Sequence, residues 1–194
     1  MNTGAVVPYS FDLSTLAPRS VASLFSHLVT RPTGRALRLG IESQIGELGA
    51  ICLSVLDFTQ VVVLDYSCAD EAVAKLVQRY SGDDRPADVF FVARGLGEQH
   101  REPIEAVLAR HDLALAAEID GAGYVLLGTV THAERIAWDA LERARTADAA
   151  TVADASGLGI GDAGAALDSL TARRVVLRNA NQRYSALSAV LEKA

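Results

Sequence analysis

The chain has 194 residues, half of them apolar, and carries 18 Lys plus Arg against 24 Asp plus Glu, a formal net charge of −6. This describes a globular protein of one or two domains, and the acidic balance argues against a general affinity for nucleic acid or anionic lipid, which a basic surface would supply. Its two Cys give neither a disulfide framework nor a zinc pattern, and with no secretory leader and no apolar run of about 20 residues, a cytoplasmic protein without a membrane span is expected.

Residues 6–13 read as a short edge strand, after which Pro18 opens a helix through Val21, Leu24, Phe25, Leu28 and Val29. A break from Thr30 to Gly34 precedes a second helix through Ala36, Leu37, Ile41, Ile45 and Leu48, with Gly49 as its stop. The β-branched stretch from Ile51 to Leu64 reads as a buried, central strand followed by a short strand or turn. Helical spacing returns at Ala69, Val73, Leu76, Val77 and Tyr80, and the polar run from Ser81 to Pro86 ends it. A strand from Asp88, a helix through Ile104, Val107 and Leu108, and strands from Leu113 to Ile119 and Tyr124 to Leu127 complete an alternating α/β domain.

From Ala133 the pattern changes to a helix ending at Arg145, a second from Thr146 to about Ala155, a Gly-rich turn, and a third from Asp162 to about Arg173. VVLRNA, a turn at Asn181-Gln182 and RYSALSAV then read as a hairpin, which is the order of a winged helix. Residues 133–194 hold 8 basic and 8 acidic side chains, against 10 and 16 before them. Two domains are expected, an α/β domain over 1–130 and a winged-helix-like domain over 131–194.

The run from Val55 to Glu71, VLDFTQVVVLDYSCADE, resembles the STAS family pattern, in which a buried strand ending in aspartate leads into an Asp-Ser-Ser-Gly turn at a helix start. Asp65 and Ser67 stand at the positions of the aspartate and the second serine, while Tyr66 and Cys68 replace the first serine and the glycine. The chain more closely resembles the STAS-like bacterial domain of unknown function, with its Ser/Thr-Arg and Gly-Arg segment, aspartate-ended strand and Ala-Asp-Glu helix opening. Thr30, Arg31, Gly34, Arg35, Asp57, Ala69, Asp70 and Glu71 match that description. The resemblance implies a mixed sheet flanked by helices and a non-enzymatic regulatory module without a cofactor. It also implies an anti-anti-sigma-like switch, in which a serine is phosphorylated by a partner kinase with a GHKL-type ATPase fold and binding is broken.

Ser67 is therefore the candidate phosphoacceptor, since a dianion at a helix start is tolerated by the helix dipole. The alternative is a helix cap worth about 1 kcal/mol. Asp65, Asp70 and Glu71 are candidates for a partner-facing acidic edge, or simply acidic residues favoured in a first helical turn. Arg31, Arg35 and Arg38 gather three guanidinium groups near a helix start, suited to a phosphate or carboxylate, so an anion or nucleotide sensor is a further reading. Salt bridges to Asp57, Asp65 or Glu42 are the alternative.

Catalysis finds little support: His27, His100, His111 and His132 stand far apart, with no metal spacing and no nucleophile elbow. Cys68 reads as a small buried thiol. A DNA-binding transcription regulator is the rival function, with Arg173, Arg174, Arg178 and Arg183 as backbone contacts. Its third helix, however, turns Ala163, Ala166, Leu167 and Leu170 inward and offers outward Asp162, Gly164, Ala165, Asp168 and Ser169, a face that repels phosphates. A winged helix used for protein contact or homo-oligomerisation is expected instead.

Overall fold

The computed structural model describes residues 7–12, 27–48, 52–179 and 181–192. Strand β1 (Val7–Asp12), the short β2 (His27–Leu28) and helix α1 (Arg31–Leu48) lead to β3 (Cys52–Asp57) and β4 (Val63–Leu64). One helical rod then runs through α2 (Tyr66–Ala69), a π-turn (Asp70–Ala74) and α3 (Lys75–Ser81). Strand β5 (Val89–Leu96), helix α4 (Glu98–Arg110) and strands β6 (Ala114–Ile119) and β7 (Gly123–Gly128) follow. The main sheet has the order β1-β3-β5-β6-β7, parallel up to β6 and closed by the antiparallel edge β7. The fold is α/β with a mixed sheet, and no helix among the described residues is long and apolar enough to cross a membrane.

Side chains that alternate along a strand divide between two cores. Cys52 and Leu56 of β3, Phe91 and Ala93 of β5, and Leu115 and Ala117 of β6 pack with Leu37, Ile41, Leu76, Ile104 and Leu108 from the helices. Leu53, Phe90, Val92, Ala114, Ala116 and Leu126 point the other way. They meet Ala137, Trp138, Leu141, Leu167 and Leu170 from the C-terminal third of the chain. The sheet is thus buried on both faces, as its near-continuous apolar strands require.

The C-terminal third is built from α5 (His132–Ala144), β8 (Thr146–Ala147), α6 (Ala149–Ser156), α7 (Ile160–Ala172), β9 (Val176–Arg178), β10 (Tyr184–Ala186) and α8 (Leu187–Leu191). Helix α5 opens on a capping box, in which the Thr131 hydroxyl accepts from the Glu134 N–H and Glu134 accepts from the Thr131 N–H. The three short strands form an antiparallel sheet of order β8-β10-β9.

Several element boundaries differ from the sequence expectation. Most of the helix expected after Pro18 lies outside the described residues, as does Gly49, but His27 and Leu28 form a strand that pairs with Val63 and Leu64. The segment from Arg31 to Gly34 is no break but the first turn of α1, where Pro32 does no harm because first-turn N–H groups have no helical acceptor. The second C-terminal helix starts at Ala149 rather than Thr146, since Thr146 and Ala147 pair with β10 and Asp148 caps the helix by accepting from the Thr151 N–H. The expected last strand breaks at Leu187, where a helical turn sinks Leu187 and Ala189 into the second core.

Candidate functional site

Asp65 ends β4's excursion in an extended conformation and caps α2. Its Oδ1 accepts from the Cys68 N–H at 2.7 Å and from the Ser67 hydroxyl at 2.9 Å, while Oδ2 accepts from the Thr30 N–H at 2.9 Å. The capping function considered for Ser67 therefore belongs to Asp65, and Ser67 is a half-buried hydroxyl donating to that cap. Burial would raise the Asp65 pKa, but the Thr30 and Cys68 N–H groups and the Ser67 hydroxyl together hold it below the ordinary carboxylate value.

Thr30 takes a positive φ of 75° just before α1, and its tie to Asp65 fixes α1 against α2. Gly34 lets the two helices touch, because a Cβ there would stand 2.7 Å from the Cys68 carbonyl oxygen. The neighbouring Cys68 thiol is fully buried, and desolvation, aided by Asp65 and Glu71, pushes its pKa to about 12. It is an inert packing group.

Every residue from Cys68 to Ala74 is buried, because the rod lies between α1, α4 and the sheet, and the π-turn carries Asp70 and Glu71 into that interior. Asp70 is 5% exposed and Glu71 4%. Arg31 Nη1 donates to both, at 3.0 and 2.9 Å. Lys75 Nζ stands 2.5 Å from Glu71 and 3.6 Å from Asp70, Arg38 lies 3.5 Å from Glu71, and His111 Nε2 is 2.7 Å from Asp70. Burial raises the Asp70 pKa, but His111 and Arg31 more than offset it, and the Lys75 ammonium leads the lowering at Glu71. The two carboxylates therefore form an internal ionic node instead of an edge turned to a partner.

The three arginines expected to act together are divided. Arg31 joins the node, Arg38 pairs with Glu42 at 3.0 Å as well as with Glu71, and Arg35 is exposed on α1. Of the carboxylates weighed as their partners, only Glu42 serves. The second guanidinium group near Ser67 is Arg110 at the end of α4, and Arg31, Ser67, Tyr66, Asp70 and Arg110 line one open cleft of about 360 Å³. Among the described residues five large apolar side chains are exposed, and three of them, Val62, Val63 and Tyr66, fall within the five residues before Ser67 in the chain, Tyr66 alone of these lining the cleft. The Tyr66 hydroxyl donates to Glu102 of α4 at 2.8 Å, so the ring is pinned across the cleft rim.

Sequence reasoning missed Arg110, His111 and the exposed Tyr66 ring at the cleft. Lys75, four residues after Glu71 on one helix, was visible as an i,i+4 partner. Nothing local signals that α4 would bring Arg110 and His111 to the same place.

The C-terminal arginines lie elsewhere and are engaged. Arg174 donates to Asp88 at 2.9 Å and to the Val89 carbonyl, with its guanidinium 4.1 Å above the Phe90 ring. Arg173 donates to the Asp112 carbonyl at 3.1 Å and lies 3.5 Å from Glu134. Arg178 pairs with Asp168 at 3.0 Å, and Arg183 donates to the Thr146 carbonyl at 3.2 Å. Helix α7 keeps Ala163, Ala166, Leu167 and Leu170 inward, as its spacing predicts, and leaves Asp162, Ala165 and Asp168 exposed. No protein-family model matches the chain, and no curated protein matches it.

Proposed function

We propose that this chain is a non-enzymatic bacterial regulatory protein that works by protein–protein contact, a partner switch of the anti-anti-sigma type with Ser67 as phosphoacceptor. The observation that carries this is the coincidence of an exposed aromatic ring and a hydroxyl in one cleft. Exposed Tyr66 lines the cleft with Ser67, Ala106 and Val107, and Val62 and Val63 are exposed a few residues earlier in the chain; apolar surface of this kind around one polar group suits a protein partner. The mixed sheet with helices against one face agrees with the STAS-like resemblance of residues 1–130, and the favoured partner is an anti-sigma-like kinase of GHKL-type ATPase fold.

On the same proposal residues 131–194 are a winged-helix unit, because helix, strand, helix, helix and two strands closing a three-stranded antiparallel sheet follow that order. Its use is packing and protein contact. DNA binding gains no support, since Arg173, Arg174, Arg178 and Arg183 are held by acceptors within the chain and α7 shows carboxylates outward.

The test compares capture of a GHKL-type ATPase from native cell extract by wild type, Ser67→Ala and Ser67→Asp. Capture should fall by about tenfold or more, some 1.4 kcal/mol of binding, with Asp and stay unchanged with Ala. Equal behaviour of the two variants would remove Ser67 from the switch, and recovery of duplex DNA instead would favour the transcription-regulator reading.

A further inference from the structure

Ser67 lies in a cleft that also holds two guanidinium groups, and neither is fully committed to acceptors among the described residues. Both bonds that Arg31 makes to the ionic node leave from Nη1, so its Nε and Nη2 have no acceptor among the described residues. Arg110, across the cleft on α4, has no ion-pair partner among them. Arg31 is also the cation that the node can release most readily. Its side chain is 52% exposed, against 35% for Lys75 and 19% for Arg38. If it left, Asp70 would keep His111 and Lys75, and Glu71 would keep Lys75 and Arg38.

We propose that a phosphate on Ser67 is received inside its own cleft by Arg31 and Arg110, and that this capture draws Arg31 away from Asp70 and Glu71. The proposal rests on Ser67 being the phosphoacceptor. In the modifying step a nucleoside triphosphate, brought by the partner kinase, gives its γ-phosphoryl group to Ser67 Oγ. The new Oγ–P bond forms as the P–O bond to the nucleoside diphosphate breaks, and the hydroxyl proton leaves to the kinase's base.

The phosphoserine cannot keep the hydroxyl bond to Asp65, because it has no proton to donate there and two negative charges would then meet. It must turn away from that carboxylate, and the open cleft, at about 360 Å³, has room for it beside the guanidinium donors of Arg31 and Arg110. The consequence is local and internal. The surface beside Tyr66 changes from an open cleft to a filled one, and the first turn of α1 follows Arg31.

The deciding measurement is a phosphorus NMR titration of the full chain carrying genetically encoded phosphoserine at position 67. The second ionisation of an unperturbed phosphoserine lies near pH 6. Capture by two guanidinium groups should move the midpoint about half a pH unit or more below that value, and Arg110→Gln should return it part of the way. Arg31→Lys, which keeps the charge on the node, should give a smaller return than Arg110→Gln. A midpoint at or above 6 overturns the proposal, because the carboxylates of Asp65 and Asp70 would then dominate the phosphate's surroundings. Loss of the folded spectrum on phosphorylation overturns it as well. No partner is needed for this readout, so failure of the extract experiment would sink the partner switch without being mistaken for failure of capture.

Discussion

Around Ser67, Arg31 and Arg110 keep donors with no acceptor among the described residues, whereas in the C-terminal third Arg173, Arg174, Arg178 and Arg183 are all occupied by acceptors of their own chain. The same side chain does opposite work at the two places. In the first it borders an open cleft beside the exposed Tyr66 ring. In the second, Arg173 and Arg174 fasten α7's end to the strands and loops of the main sheet, and Arg178 and Arg183 brace the small sheet. The contrast teaches that a count of basic residues near a helix end says little about binding until the carboxylates and carbonyls around them are placed.

The largest expected effect concerns the two faces of the sheet on which these regions are built. Phe91→Ala in the helix-side core and Phe90→Ala in the C-terminal-side core should each cost about 3–5 kcal/mol in urea unfolding. Both should melt in one transition, because one sheet supplies both cores. Two separated transitions would show that the regions are independently folded and would break the comparison at its root.

Next, Gly34→Ala should cost roughly 1–3 kcal/mol, since its Cβ would press on the Cys68 backbone and push α1 off the rod. Chemical denaturation measures the cost, and an unchanged midpoint would mean that the two helices are not held as closely as described. Asp65→Asn should then remove about 1 kcal/mol at neutral pH, because the amide keeps one capping oxygen but loses the charge and the second acceptor that holds the Thr30 N–H. The sign of its pH dependence follows from the depressed pKa. A carboxyl held below its unfolded value of about 3.9 contributes fully above that pH and loses its contribution as pH falls through the folded value. The gap between wild type and Asp65→Asn should therefore close below about pH 4, and a gap that persists would assign the stabilisation to something other than the charge.

The smallest effect sharpens the contrast from the other side. Arg183→Gln should leave stability within about 0.5 kcal/mol and leave unchanged whatever duplex-DNA affinity fluorescence anisotropy reads for the wild type. A loss of tenfold or more would return DNA to the account of the C-terminal third.

Much of the fold was legible because alternation and helical spacing are local. The main-sheet strands, the inward face of α7 and the helix-forming run from Leu37 to Leu48 follow from which residues are apolar and how far apart they stand. The short elements were not legible. Thr146 and Ala147 become a strand only because β10 lies beside them, and Leu187 turns into a helix because the second core waits there. At the site, Asp65 and Ser67 could be found as a pair at a helix start, yet which of them caps the helix depended on where each side chain points.

The sequence by itself determined the α/β order, the helix start at Asp65 and Ser67 and the acidic face of α7, since each rests on contacts within a few residues. Tertiary structure alone decided that Asp70 and Glu71 face inward, that Arg110 and His111 arrive from 40 residues away, and that Arg173 and Arg174 are spent on the main sheet. The physical reason is that a buried charge must be matched by whatever opposite charge packing brings near it, and sequence spacing does not say which one that will be.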